Sequence, residues 1–285
     1  MKIKKEIIVT GSAGFLGESV IQNISKKFKV IGIDKKKNSR IIKNTTNLKI
    51  RIKKFIDKKS LKNVKSIIHL STSESQANLY EKNPQLANKN INDLIHILEK
   101  LKKSKKKILL IFASSRDVEK NNNSTDRGLY SFSKEYSENL IKIYSSNSKF
   151  YFCILRIPDL FDIDLNKNPK KKAIYKINNI IDKSKNVIID NPKHIFEFTS
   201  RENIAKKIFD IVDQKNIKNE ILSIRGEKIN IIDLVKKFIK LKSSNSKIVF
   251  KKKIIKKNNY FLKNYSLKKN TFLKNLLNLT KKIDD

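Results

Sequence analysis

Three glycines constrain this chain more tightly than anything else in it. Gly11, Gly14 and Gly17 fall within seven residues, although the whole sequence has only six glycines. They follow the apolar run "KEIIVT" (5–10) directly and open the helical pattern "GESVIQNISKKF" (17–28). At a strand–helix junction, a G-x-x-G-x-x-G spacing has a mechanical reading. The first glycine permits the tight turn, the second lets backbone approach a ligand, and the third lets the helix pack close to the strand. The helix start then aims unpaired N–H groups and a partial positive charge at a pyrophosphate. A plain glycine turn would need only one of the three. The spacing therefore predicts a dinucleotide site.

The next apolar run, "KVIGID" (29–34), ends in Asp34. A carboxylate there accepts both hydroxyls of an adenosine ribose and repels a 2′-phosphate, which favours NAD over NADP. A solvated strand-end Asp is the bland alternative. Lys35, Lys36 and Lys37 follow, and any of them could hold a 2′-phosphate, so NADP stays open as the less favoured cofactor.

The same alternation continues. Strands are expected at "NLKIRI" (47–52), "VKSIIHL" (64–70), "KKILLIFAS" (106–114) and "KFYFCILRI" (149–157). Between them lies the helix "PQLANKNINDLIHILEKLKK" (84–103), with Leu86, Ile91, Leu94, Ile95, Leu98 and Leu101 at helical spacing. Nearly uniform apolar strands separated by helices imply a parallel sheet buried on both faces. The expected fold class is α/β, a Rossmann-like doubly wound parallel sheet over residues 1–156. Pro158 closes the regular pattern. Residues 157–285 are read as a smaller mixed α/β substrate-binding region. It has a helix near 170–183, a strand at "NVIID", a helix from about Ser200, a strand at "EILSI" and a helix at "NIIDLVKKFIKL". The last forty residues are Lys/Asn-rich and weakly periodic.

Charge raises a second question, because the formal net charge is +38. A nucleic-acid partner is one explanation. The charge, however, runs the whole length, only seven of the 65 basic residues are Arg, and Ile and Asn are abundant beside Lys. That is the signature of a compositional bias, so no specific nucleic-acid partner is expected. No apolar window reaches a membrane-spanning length. The single Cys153 excludes an internal disulfide and fits a reducing, cytoplasmic setting. His69, His96 and His194 are scattered, so no metal site is expected.

The stretch "LYSFSKEYSENLIKIY" (129–144) places Tyr130 and Lys134 one helical turn apart. In so lysine-rich a chain that spacing also arises by accident, as at Tyr265 and Lys269. Context separates the two. "TGSAGFLG" (10–17), "VKSIIHLST" (64–72), "NPQLANKNI" (83–91), "LLIFASSRDV" (109–118), "LRIPDLFD" (155–162) and "FEFTSRENIAKKI" (196–208) resemble, in this order, segments of the extended short-chain dehydrogenase/reductase superfamily. The resemblance lies in particular with its nucleotide-sugar epimerases and dehydratases, and spans roughly residues 5–240.

The resemblance implies that Tyr130 is the acid/base and that Lys134 lowers its pKa and holds the nicotinamide ribose. It implies that Ser115 orients the substrate oxygen, with Ser114 as its neighbouring alternative. It also implies a cofactor site made by Gly11, Ala13, Gly14, Phe15, Leu16, Gly17, Asp34, Leu70, Asn90, Lys134 and Pro158. Residues 195–215 would return to pack on the cofactor domain. Departures from the family pattern cluster on the substrate side: Lys54, Arg116-Asp117, Glu119-Lys120, Asp159 and Phe196-Glu197. The Asp-Glu pair of 4,6-dehydratases is missing, which argues against dehydration. The expected function is an NAD-dependent nucleotide-sugar epimerase, with a homodimer allowed. A keto-sugar reductase on the same scaffold is the nearest alternative. A non-catalytic cofactor or nucleic-acid binder is the alternative from another class.

Overall fold

Five of the apolar runs become strands buried on both faces. In chain order the elements begin β1 (Glu6–Thr10), α1 (Phe15–Ile24), β2 (Lys29–Asp34), β3 (Thr45–Lys49), α2 (Ile52–Lys58), β4 (Val64–His69), α3 (Asn78–Lys82), α4 (Gln85–Lys102), β5 (Leu109–Ser115) and α5 (Leu129–Ser146). They continue β6 (Tyr151–Ile157), β7 (Asp159–Phe161), α6 (Ala173–Asp182), β8 (Val187–Ile189), β9 (Ile195–Ser200), α7 (Arg201–Asp213), β10 (Glu220–Ser223), β11 (Glu227–Asn230), α8 (Ile231–Leu241) and β12 (Ile248–Phe250). This computed structural model describes residues 5–37, 41–73, 78–119, 128–164, 167, 172–214 and 218–251. Tyr265 and Lys269 lie outside the described residues, as does nearly all of the Lys/Asn-rich C-terminal stretch. Residues 1–250 form one compact unit.

Seven strands make one sheet in the order β10-β6-β5-β4-β1-β2-β3, and every neighbouring pair is parallel. Successive side chains point to opposite faces, and the two faces carry two cores. On one, Ile8, Ile67, Leu110, Phe112 and Ile154 pack with Ile56 of α2, Leu94 and Leu98 of α4 and Ile141 of α5. On the other, Ile7, Val9, Ile68, Ile111 and Leu155 pack with Val20 and Ile24 of α1 and Ile204 and Ile208 of α7. The doubly wound α/β architecture follows from this alternation. Strand order reverses between β1 and β4, and such a crossover opens a crevice at the strands' carboxyl ends.

The third strand is corrected. It was expected at 47–52 but covers Thr45–Lys49. Ile50 N–H donates to the Asp34 carbonyl at 2.8 Å. The chain then enters α2, which buries Ile52, Phe55 and Ile56 at helical spacing. The seventh strand, β10, comes from beyond the return helix and pairs with β6 from Glu220–Cys153 to Ser223–Arg156.

The rest of the second half forms a third core. Ile174, Ile177 and Ile181 of α6 meet Val187 and Ile189 of β8 and Leu234, Val235 and Phe238 of α8. It is flanked by the mixed sheet β11-β9-β7 and the parallel pair β12-β8. α7 packs along α1, and its N-cap Ser200 accepts from Asn203 N–H.

Candidate active site

The glycine turn sits at the crossover, and two of its glycines are sterically required. Gly11 has φ +71°, in the left-handed region, and a Cβ there would lie 2.8 Å from Ser71 N. A Cβ on Gly17 would lie 2.1 Å from the Gly11 carbonyl oxygen, so only glycine lets α1 approach this closely. Gly14 differs, since a Cβ there would meet nothing nearer than Gly11 O at 3.0 Å. Its outer side is open. As the N-cap of α1 it offers no capping side chain, which leaves first-turn N–H groups to an anion. Phe15 and Leu16 open the helix. This cradle fits a dinucleotide diphosphate.

Asp34 turns toward the same corner. Its carboxylate accepts from Ala13 N–H at 3.1 Å and from Lys36 N–H at 2.9 Å. Leu70 N–H donates to the Thr10 carbonyl at 3.2 Å, which brings the end of β4 against the turn. Beneath it, the Thr10 hydroxyl and His69 Nδ1 are 2.7 Å apart. Burial, with the charge of Lys134, holds the His69 imidazole down to about 3, so the ring is neutral. Asn90 braces the following loop. Its Oδ1 accepts from Ser73 N–H at 2.7 Å, and its Nδ2 donates to the Tyr80 hydroxyl at 2.7 Å.

Ser115, Tyr130 and Lys134 converge at the end of β5. The buried face of α5 is lined by small serines that bond backward or outward: Ser133 to Tyr130 O, Ser137 to Ser133 O, and Ser131 to Asp117 O. Small, satisfied side chains on that face let the helix lie close to the strand. The Ser115 hydroxyl lies 3.3 Å from Asp117 Oδ2 and near enough to the Tyr130 phenol to favour its ionised form. Ser114 points elsewhere: its hydroxyl donates to buried Glu138 at 2.5 Å, and Glu138 also receives the Arg156 guanidinium at 2.7 Å. Pro158 is buried between β6 and β7.

Lys134 is expected to pull the Tyr130 phenol toward ionisation, and burial works against it. The phenol is held above its ordinary value, first by burial and then by Tyr80, Asp117 and Asp159, with Ser115 opposing. Lys134 Nζ lies over the Tyr130 ring, 5.9 Å from its centroid. Its Nζ donates to the Ala113 carbonyl at 2.8 Å and sits 4.8 Å above the Phe112 ring. Burial holds Lys134 itself down to about 8, with Glu138 partly opposing. Burial thus favours the protonated form of the tyrosine.

Tyr80 and Arg201 escaped the sequence reading, and Arg116, Glu119 and Glu197 entered it only as departures from the family pattern. Tyr80 is fully buried and packs edge-on against Tyr130 at 5.2 Å, and its hydroxyl lies 2.9 Å from Thr72 Oγ1. Arg116 pairs with Glu119 at 3.1 Å and with Glu197, which also accepts from Gly226 N–H. Arg201 is buried between α1 and β7. No motif or spacing singled out Tyr80 or Arg201. Among the described residues no group of three metal-ligating side chains converges, and no helix is long and apolar enough to cross a membrane.

Comparison with known proteins bears on the family and the fold. A family model described as "NAD dependent epimerase/dehydratase family" matches residues 7–230. A dTDP-D-glucose 4,6-dehydratase of Dictyostelium discoideum is 24% identical over 273 residues, covering 83% of this chain and 62% of that protein. The chain thus spans about three-fifths of the length of that curated relative. The fold is similar to a UDP-N-acetylglucosamine 4-epimerase from Methanobrevibacter ruminantium M1 solved with UDP-N-acetylmuramic acid. That likeness has a TM-score of 0.75 and 19% identity, over 88% of this chain and 86% of that one. It is also similar to a UDP-glucuronic acid 4-epimerase from Bacillus cereus solved with UDP-glucuronic acid and NAD. There the TM-score is 0.73 at 20% identity, over 87% of both chains.

Proposed function

Because this chain belongs to the NAD-dependent epimerase/dehydratase family, we propose that it is an NAD-dependent epimerase of a nucleotide-linked sugar. The observation that carries the reading is the grouping of Ser115, Tyr130 and Lys134 at the end of β5, with Ser115 acting on the phenol and the Lys134 ammonium over the Tyr130 ring at 5.9 Å. Residues 1–156 would bind the cofactor, and the chain from 157 would supply the substrate side.

Gly11, Ala13, Gly14, Phe15, Leu16 and Gly17 would cradle the diphosphate, and Asp34 the adenosine ribose. Leu70, Asn90, Lys134 and Pro158 would border the nicotinamide half. Bound NAD supplies a hydride acceptor that can also return the hydride. The chain's own residues handle the proton and the geometry. Ser115 holds the reacting sugar oxygen beside the phenol. Tyr130 takes the proton from that oxygen as the carbonyl forms and returns it when the carbinol is restored. Lys134, once its ammonium meets the ribose and the phenolate, favours the ionised phenol that burial alone disfavours. Asn90 and Tyr80 keep the Tyr130 ring in place.

Arg116 supports epimerisation over dehydration. It is engaged with Glu119 and Glu197 and offers no acid to expel a 6-hydroxyl. The test is to incubate the protein with NAD and a panel of UDP- and dTDP-hexoses, following sugar stereochemistry by NMR and nicotinamide absorbance together. Interconversion of two stereoisomers with no net absorbance change is expected. Stoichiometric NADPH consumption with a keto-sugar, and no interconversion, would establish the reductase instead.

A further inference from the structure

An arginine is held where the packing asks for a hydrocarbon. Arg201 is the first residue of α7, on the face that Ile204, Ala205 and Ile208 bury against α1 and the sheet. Its side chain is only 9% exposed. Burying a guanidinium is costly unless its donors are well met, and apolar replacements of buried ion pairs are often neutral or stabilising. Here the donors are met in a particular way. Nη1 donates to the Phe15 carbonyl at 3.1 Å and lies 3.8 Å from Glu18. Nη2 reaches Asp162 at 2.5 Å, and Nε donates to Glu202 at 3.0 Å. The guanidinium also lies over the Phe15 ring at 4.8 Å, a cation–π contact.

These partners belong to two functional segments. Phe15 and Glu18 form the first turn of α1, where the glycine cradle becomes a helix. Asp162 ends the segment that carries Pro158 and Asp159, and Asp159 raises the Tyr130 phenol by its charge. Asp162 also fixes the chain beyond itself, accepting from Asp164 N–H at 2.9 Å. The planar fork of an Arg can serve a carbonyl, a ring face and two carboxylates at fixed angles, and a Lys cannot.

We infer that Arg201 is a positioning residue that couples the cofactor turn to the substrate-side strand. It ties the first turn of α1 to Asp162, so that a dinucleotide seated on the turn also orders residues 159–164. The inference rests on the proposal that this turn holds NAD. It gives that site a regulatory property: the strand beside the catalytic tyrosine is set once the cofactor is in place.

Hydrogen–deuterium exchange with and without NAD tests the coupling without any sugar substrate. In the wild type, NAD should slow exchange about fivefold or more, the low end of typical coupling strengths, both across residues 13–18 and across 160–164. In Arg201→Met, protection at 13–18 should remain and protection at 160–164 should disappear. Asp162→Asn keeps the size of the side chain and should behave the same way, which guards against a folding failure of the first variant. A purely structural Arg201 would lower the melting temperature and leave the NAD-induced pattern intact. Protection of 160–164 that survives in either folded variant, or that is missing in the wild type when NAD binds, overturns the coupling alone. A wild type that binds no NAD overturns the cofactor reading beneath it.

Discussion

Replacing Lys134 by Met should abolish turnover while leaving the protein at least as stable as before. Lys134 is 7% exposed, and burial holds its ammonium down to about 8 from an ordinary 10.5. Below pH 8 both folded and unfolded chains carry the proton, and the cost of burying the charge is present in full. Between pH 8 and 10.5 the unfolded chain binds the proton more tightly, so stability rises with pH across that window. At about 1.4 kcal/mol per pH unit, the interval corresponds to a cost of about 3 kcal/mol at neutral pH. Met removes that cost and also the bond to the Ala113 carbonyl, worth about 1 kcal/mol net. The variant should gain about 2 kcal/mol at pH 7 on these two effects. By pH 10 most of the wild-type cost has gone, and the two proteins should unfold at nearly the same urea concentration. Urea melts of both proteins at pH 7 and pH 10, with turnover measured in parallel, read out all three quantities. A variant less stable than wild type at pH 7, or a gap that ignores pH, would refute the account of a lysine held in place at the expense of the fold.

Tyr130→Phe keeps the ring that packs on Tyr80 and removes the transferable proton; turnover should fall by about 10²-fold or more, with NAD affinity by fluorescence titration unchanged. Gly17→Ala places a methyl group 2.1 Å from the Gly11 carbonyl; NAD binding should be lost and the thermal midpoint lowered, and an unchanged titration curve would contradict the close approach of α1. Ser115→Ala should cut turnover with little change in stability. Ser114→Ala should do the reverse, costing about 1 kcal/mol by removing a hydrogen bond to Glu138, as read from paired activity assays and urea melts.

Much of the sheet was legible because its strands are buried on both faces. "KVIGID" is bounded by a turn and by three lysines, and β2 spans the same six residues. In α4 the spacing of Leu94, Leu98 and Leu101 marked the face that is fully buried. The glycine turn was legible because its chemistry is local, residue by residue. What stayed hidden depends on distant chain. β7, β9, β11 and β12 are three to six residues long and only partly buried, so no periodicity separates them from loop. The i, i+4 spacing put Lys134 on the face of Tyr130, but it could not reveal that the ammonium would reach Ala113 and that burial would govern the phenol. Tyr80 and Arg201 act through partners 50 and 186 positions away, and no local pattern records such pairings.

The late arrival of β10 also bears on how the chain assembles. β6 is complete at Ile157, yet the strand that covers its outer edge begins only at Glu220. During synthesis, the N–H and C=O groups along that edge stay unpaired until residues 158–219 have emerged and looped back. An open, apolar parallel edge is a template for pairing with other chains, and long-range closures of this kind are slow. The interval between β6 and β10 is therefore the stage at which nascent copies of this protein are most exposed to misassembly. A chain cut between Ile157 and Glu220 would keep that edge open.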